Sequence, residues 1–72
     1  MTLDLRGLKC PWPAIRLGKA LRELPADAAQ LAVIADDPRA GAEMAEVASE
    51  AGWALRPDPT DPDHFHVNRA TS

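Results

Sequence analysis

The chain has 72 residues, 46% of them apolar and 26% charged, with one cysteine, which limits it to a single small domain spanning residues 1–72. It is too apolar for a disordered tail and has no long apolar run for a membrane span; a lone cysteine cannot staple a secreted scaffold. Eight basic and eleven acidic residues give a net charge of −3, a poor balance for holding a nucleic acid backbone unaided.

Residues 3–6 alternate as a first strand, with Leu3 and Leu5 on one face and Asp4 and Arg6 on the other. The acid at Asp4 also interrupts what a signal peptide would need as an apolar core, so a cytoplasmic location is expected. Gly7 breaks the strand, and Cys10-Pro11-Trp12-Pro13 opens a helical pattern, proline being tolerated in a first helical turn. Ala14, Leu17, Gly18, Leu21 and Leu24 fall on one stripe of that helix, opposite Arg16, Lys19 and Glu23. Ile15 falls on the polar side, and Pro25 ends the element.

Residues 30–35 form an almost wholly apolar second strand, as expected for one buried on both sides or central in a sheet. Asp36-Asp37-Pro38 predicts a helix start, with Asp37 as N-cap and Pro38 at N1. Ala40, Met44, Val47, Ala48 and Ala51 make the apolar stripe of this second helix, and Arg39, Glu43, Glu46 and Glu50 its solvated face. Gly52 is placed to close it in the left-handed conformation. Residues 53–56 and 64–68 alternate as third and fourth strands, with Trp53, Phe65 and Val67 inward, around a Pro- and Asp-rich loop. The order β-α-β-α-β-β predicts a two-layer α/β sandwich, a four-stranded mixed sheet with both helices on one face. The two helical crossovers favour parallel strands and the last connection an antiparallel hairpin.

Charge is unevenly spread. Residues 1–24 hold five of the eight bases (Arg6, Lys9, Arg16, Lys19, Arg22) and only Asp4 and Glu23 as acids. The positive end therefore surrounds Cys10, the side chain with the clearest chemical use. A thiol just before a proline-braced helix start meets backbone N–H groups and the positive end of the helix dipole, which favour the thiolate. Lys9 and Arg16 add charge of the same sign. The bland alternative for a lone cysteine is a small buried core residue.

Asp4-x-x-Gly7-Leu8-Lys9-Cys10-Pro11-x-Pro13, followed by Ala35-Asp36-Asp37-Pro38, resembles the TusA-like (SirA-like) sulfur carrier family over nearly the whole chain. The resemblance implies a cytoplasmic carrier that takes a sulfane sulfur as a persulfide on Cys10 and passes it on. Gly7, Lys9, Pro11, Pro13, Asp36, Asp37 and Pro38 are then the supporting motif positions. The implied partners are a donor such as a cysteine desulfurase or rhodanese and an acceptor sulfurtransferase. The implied outlets are tRNA thiolation, molybdenum cofactor synthesis or sulfur-compound metabolism. Many members have an acid at the position of Trp12, an Asp at that of Glu43, and Gly-His where this chain has Gly52-Trp53.

The chemistry needs no metal or cofactor, since a thiolate at a helix N-terminus is already nucleophilic. With no second cysteine, nothing in the chain can expel a bound sulfur as an internal disulfide. Trp12, Ile15, Arg16 and Lys19 are the candidate docking residues, because Trp and Arg dominate binding hot spots and Ile15 lies off the core stripe. His64 and His66 share a strand face and read as solvated rather than as metal ligands with Cys10. Two alternatives stand beside the carrier: a protein-interaction or redox-sensing module on the same fold, and, against the charge balance, direct RNA binding. Neither nucleic acid nor membrane is an expected partner.

Overall fold

Two amphipathic helices need a common apolar surface, and one face of a small sheet supplies it. The computed structural model describes residues 2–9 and 11–69. Its elements are β1 (Thr2–Asp4), α1 (Trp12–Glu23), β2 (Gln30–Ile34), α2 (Ala40–Glu50), β3 (Trp53–Pro57) and β4 (His64–Arg69). The sheet order is β1-β2-β4-β3. β1 runs parallel to β2, with Leu3 opposite Val33. β4 runs antiparallel to both β2 and β3. The α2 crossover therefore delivers a strand parallel to β2 but not beside it, because β4 folds back into the gap. The mixed α/β sandwich expected from the element order is the observed architecture.

Leu17, Val33, Met44 and Val67 are wholly buried, and Leu5, Leu21, Leu31, Trp53 and Phe65 complete the core around them. On α1 the predicted stripe is buried at Ala14, Leu17, Gly18 and Leu21, with Leu24 half-buried just past its end. A methyl group on Gly18 would sit 3.1 Å from Val47 Cγ1, so this small residue sets how closely the two helices approach. Pro13 lies inside the first turn of α1, where proline is tolerated, and is fully buried.

β2 takes the central of its two expected settings; Leu31 and Val33 are buried, and Ala32 and Ile34 face the uncovered side of the sheet, half-exposed. Both helices pack on the opposite face, so no layer covers them. α2 begins at Ala40 rather than Pro38, because Ala40 N–H bonds to Asp37 O (3.0 Å) and winds the first turn more tightly. The Asp37 carboxylate still takes the Arg39 N–H, at 2.8 Å, as a helix-start acid should. Ala51 is exposed, since it caps α2 instead of continuing its stripe. Gly52 then turns the chain at φ +85°, as predicted.

The open end of the core is sealed by Arg69. Its guanidinium lies 4.4 Å from the centre of the buried Trp53 ring. The same group donates to Ala28 O at 2.8 and 3.0 Å, tying the turn before β2 to the end of β4.

Candidate functional site around the loop after β1

Because β1 and β2 are parallel neighbours, the loops that follow them leave the sheet on the same side. The first loop turns at Gly7, whose φ of +86° favours glycine. Leu8 N–H closes this turn on Leu5 O at 3.2 Å. The two loops are joined directly: Gly7 N–H donates to Asp36 Oδ1 at 3.1 Å. Between them lies an open cleft of about 460 Å³ lined by Gly7, Leu8, Lys9, Asp36, Asp37 and Pro38. Five of the motif-supporting positions predicted from sequence thus meet at one place, with Leu8 added.

Cys10 lies outside the described residues; chain connectivity puts it between Lys9 and Pro11. Its two neighbours are well defined by hydrogen bonds. Lys9 O accepts the Trp12 N–H at 2.8 Å, and Pro11 O accepts the Ile15 N–H at 3.2 Å. Pro11 is the N-cap of α1, no side chain among the described residues caps the helix, and its first turn holds no acid. The positive end of the α1 dipole is therefore not offset by a carboxylate of its own first turn. An anion held beside it gains from that field.

The outer face of α1 gathers the predicted docking residues. Trp12, Ile15, Arg16 and Lys19 recur at the i, i+3, i+4, i+7 spacing of one helix face, and all four are exposed. Among the described residues, Trp12 and Ile15 are the large exposed apolar ones, at 56% and 51%. Arg16 and Lys19 border a groove of about 390 Å³ between α1 and edge strand β1, floored by Leu3, Leu5 and Leu8. Arg6, on the rim of the same groove, is held by Asp4 at 2.8 Å. Its hydrogen bonds to Arg6 pull the Asp4 carboxyl down to about 2.

His64 and His66 stand on the uncovered sheet face, engaged by loop carboxylates. His66 Nε2 lies 2.9 Å from Asp58 Oδ2, and His64 Nδ1 lies 3.5 Å from Asp61. Hydrogen bonds from His66 and then from Thr60 hold Asp58 well below the usual carboxylate range. Among the described residues, no group of three or more His, Cys, Asp or Glu is placed to hold a metal ion. No helix is long and apolar enough to cross a membrane among the described residues.

The family model for sulfurtransferase TusA matches residues 1–67, the whole of the site included. The chain belongs to the TusA family. It is similar also to a solved structure, a SirA-like protein from Desulfitobacterium hafniense, with a TM-score of 0.72 and 29% sequence identity. That similarity covers 92% of this chain and 89% of the other. TusA proteins are sulfur carriers that work in relays with other proteins, so this fold and its motif loop come from a sulfur-transfer lineage.

Sequence reasoning missed two features. The Asp36–Gly7 bond joins residues 29 apart, a separation that no local pattern encodes. The seat of Arg69 over Trp53 carries no signal beyond an aromatic and a base opposite each other once the β3–β4 register is known.

Proposed function

We propose that this chain carries sulfane sulfur as a persulfide on Cys10, taken from a donor protein and passed to an acceptor in the cytoplasm. The observation that carries this reading is the TusA match across residues 1–67, which includes the cysteine motif. The uncapped start of α1 directly after that cysteine supports it physically. A thiolate there is favoured by the helix dipole and by Lys9, and it is the thiolate that reacts.

The transfer balances without any oxidant. The Cys10 thiolate attacks the outer sulfur of a donor persulfide, R–S–SH. A new S–S bond forms, the donor's S–S bond breaks, and the donor leaves as a thiolate with the electron pair. The proton stays on the transferred sulfur, giving Cys10–S–SH. An acceptor thiolate repeats the attack on that outer sulfur. The sequence holds no other cysteine to intercept the sulfur as an internal disulfide.

Both partners must reach the same atom, which calls for an exposed surface beside it. Trp12 and Ile15 supply apolar anchors and Arg16 and Lys19 the charge, on a face that fits an acidic partner. A cysteine desulfurase or rhodanese is the proposed donor and a second sulfurtransferase the acceptor, in a relay toward tRNA thiolation, molybdenum cofactor or sulfur-compound metabolism. The test is intact-mass analysis after incubation with a cysteine desulfurase and cysteine. A gain of one sulfur atom, removed by reductant and absent in Cys10→Ser, is expected. No gain, or an equal gain in Cys10→Ser, overturns the proposal.

A further inference from the structure

We propose that Asp36 is a positioning residue for sulfur transfer, acting as the hydrogen-bond acceptor that fixes the loop leading into Cys10. The inference rests on the carrier reading above and adds a role for a side chain on the other parallel strand's loop. Asp36 Oδ1 takes the Gly7 N–H at 3.1 Å. Gly7 stands at φ +86°, and among the described residues nothing lies within 4 Å of where a side chain would begin. Packing therefore does not hold this glycine, and glycine is the residue with the most backbone freedom to lose. Leu5 N–H is fixed to Ile34 O at 2.7 Å and Trp12 N–H to Lys9 O at 2.8 Å, while Leu8 N–H folds back only on Leu5 O. Across the span from Gly7 to Lys9, Leu8 packs on the core, and among the described residues the Asp36 carboxylate supplies a hydrogen bond from the loop after β2.

Asp36 is itself well placed to act as an anchor. Ala35 N–H, the group just before it, bonds to Asp63 O at 2.9 Å, and Asp37 binds the Arg39 N–H. The anchor is thus held by the residue just before β4 on one side and by the start of α2 on the other. The cation facing it is Arg6, raised above its ordinary range by its bond to Asp4, then by the field of Asp4, with Asp36 adding a smaller share. Asp36 could act as an acceptor or as a charge. The geometry points to the acceptor, because the bond is to a backbone amide at ordinary hydrogen-bond length.

The test compares sulfur loading rates of wild type, Asp36→Ala, Asp36→Asn and Asp36→Glu with one desulfurase. Misplacing a reacting group by about 1 Å costs up to about 10²-fold, and Asp36→Ala is expected to slow loading by roughly ten-fold or more. Asp36→Asn keeps an acceptor oxygen at the same reach and is expected within about two-fold of wild type. Asp36→Glu keeps the charge but moves the oxygens by a methylene, and is expected to be slowed. Loading of Asp36→Ala at the wild-type rate overturns the proposal, as does Asp36→Asn failing as badly as Asp36→Ala. Should Asp36→Ala not fold, Asp36→Glu decides: a wild-type rate there refutes positioning. Wild type that takes up no sulfur at all refutes the carrier reading instead, so the two failures are distinct.

Discussion

Gly7 and Gly52 form a matched pair for separating stability from function. They stand at φ +86° and +85°, and at neither position would a methyl group meet an atom of the described residues within 4 Å. Alanine at either site therefore suffers only the left-handed backbone penalty, about 1–2 kcal/mol. Against this, alanine restricts the unfolded chain and returns about 0.4–1 kcal/mol. The net loss is about 1 kcal/mol at each site, which in a domain of this size lowers the melting temperature by about 4–8 °C. Thermal unfolding followed by circular dichroism should thus show Gly7→Ala and Gly52→Ala shifted alike. Their sulfur loading should differ, because Gly7 is three residues before Cys10 while Gly52 follows α2. Gly7→Ala is expected to load several-fold more slowly, and Gly52→Ala at the wild-type rate. Equal loading by the two variants, or a Gly7→Ala melting temperature equal to wild type, would refute the reasoning.

Charge reversal of both Arg16 and Lys19 to Glu should leave the melting temperature nearly unchanged, since both are exposed, while slowing transfer from an acidic donor about ten-fold at low salt; stopped-flow or quenched mass analysis at two salt concentrations checks this. Trp53→Ala removes a buried ring, at about 3–5 kcal/mol, comparable to the whole stability of about 3–5 kcal/mol that one small core supplies. It should be largely unfolded in urea titrations, whereas Arg69→Ala, which loses only the cation over the ring and its loop bonds, should fold with a lowered midpoint. Asp4 and Asp58 both have depressed carboxyl pKa values, so the stability they contribute is complete above about pH 4 and is lost as the solution is acidified. The Asp4 share disappears between its ordinary 3.8 and about 2, that of Asp58 lower still. Carbon-detected NMR titration should show the Asp58 midpoint rising toward the ordinary range in His66→Ala; an unmoved midpoint rejects the pairing.

What was legible in the sequence is what local periodicity encodes. The α1 stripe at Ala14, Leu17, Gly18 and Leu21 follows from spacing alone, as do the inward Phe65 and Val67 and the left-handed Gly52. The exposure of Ile15 followed from the same wheel, whereas Trp12 was a docking candidate by residue type. At β2 composition left two settings open, and the central one holds: Ala32 and Ile34 are apolar yet face the uncovered side, where half-exposed apolar residues are tolerated. Strand order was silent too: nothing local says that β4 inserts between β2 and β3. The motif pointed to Gly7, Lys9, Asp36, Asp37 and Pro38, which line one cleft. The tie from Asp36 to Gly7 depends on β1 and β2 being parallel neighbours, a fact of topology that only the fold expresses.

The most direct measurement is a two-stage relay with isotopically labelled sulfur. The chain is loaded from labelled cysteine through a desulfurase, freed of donor, and mixed with an acceptor sulfurtransferase, with both masses followed over time. A carrier loses its one labelled sulfur as the acceptor gains it, and Cys10→Ser neither gains nor gives. Label that never reaches the wild-type chain, or that stays on it while the acceptor remains empty, would contradict a role in passing sulfur on.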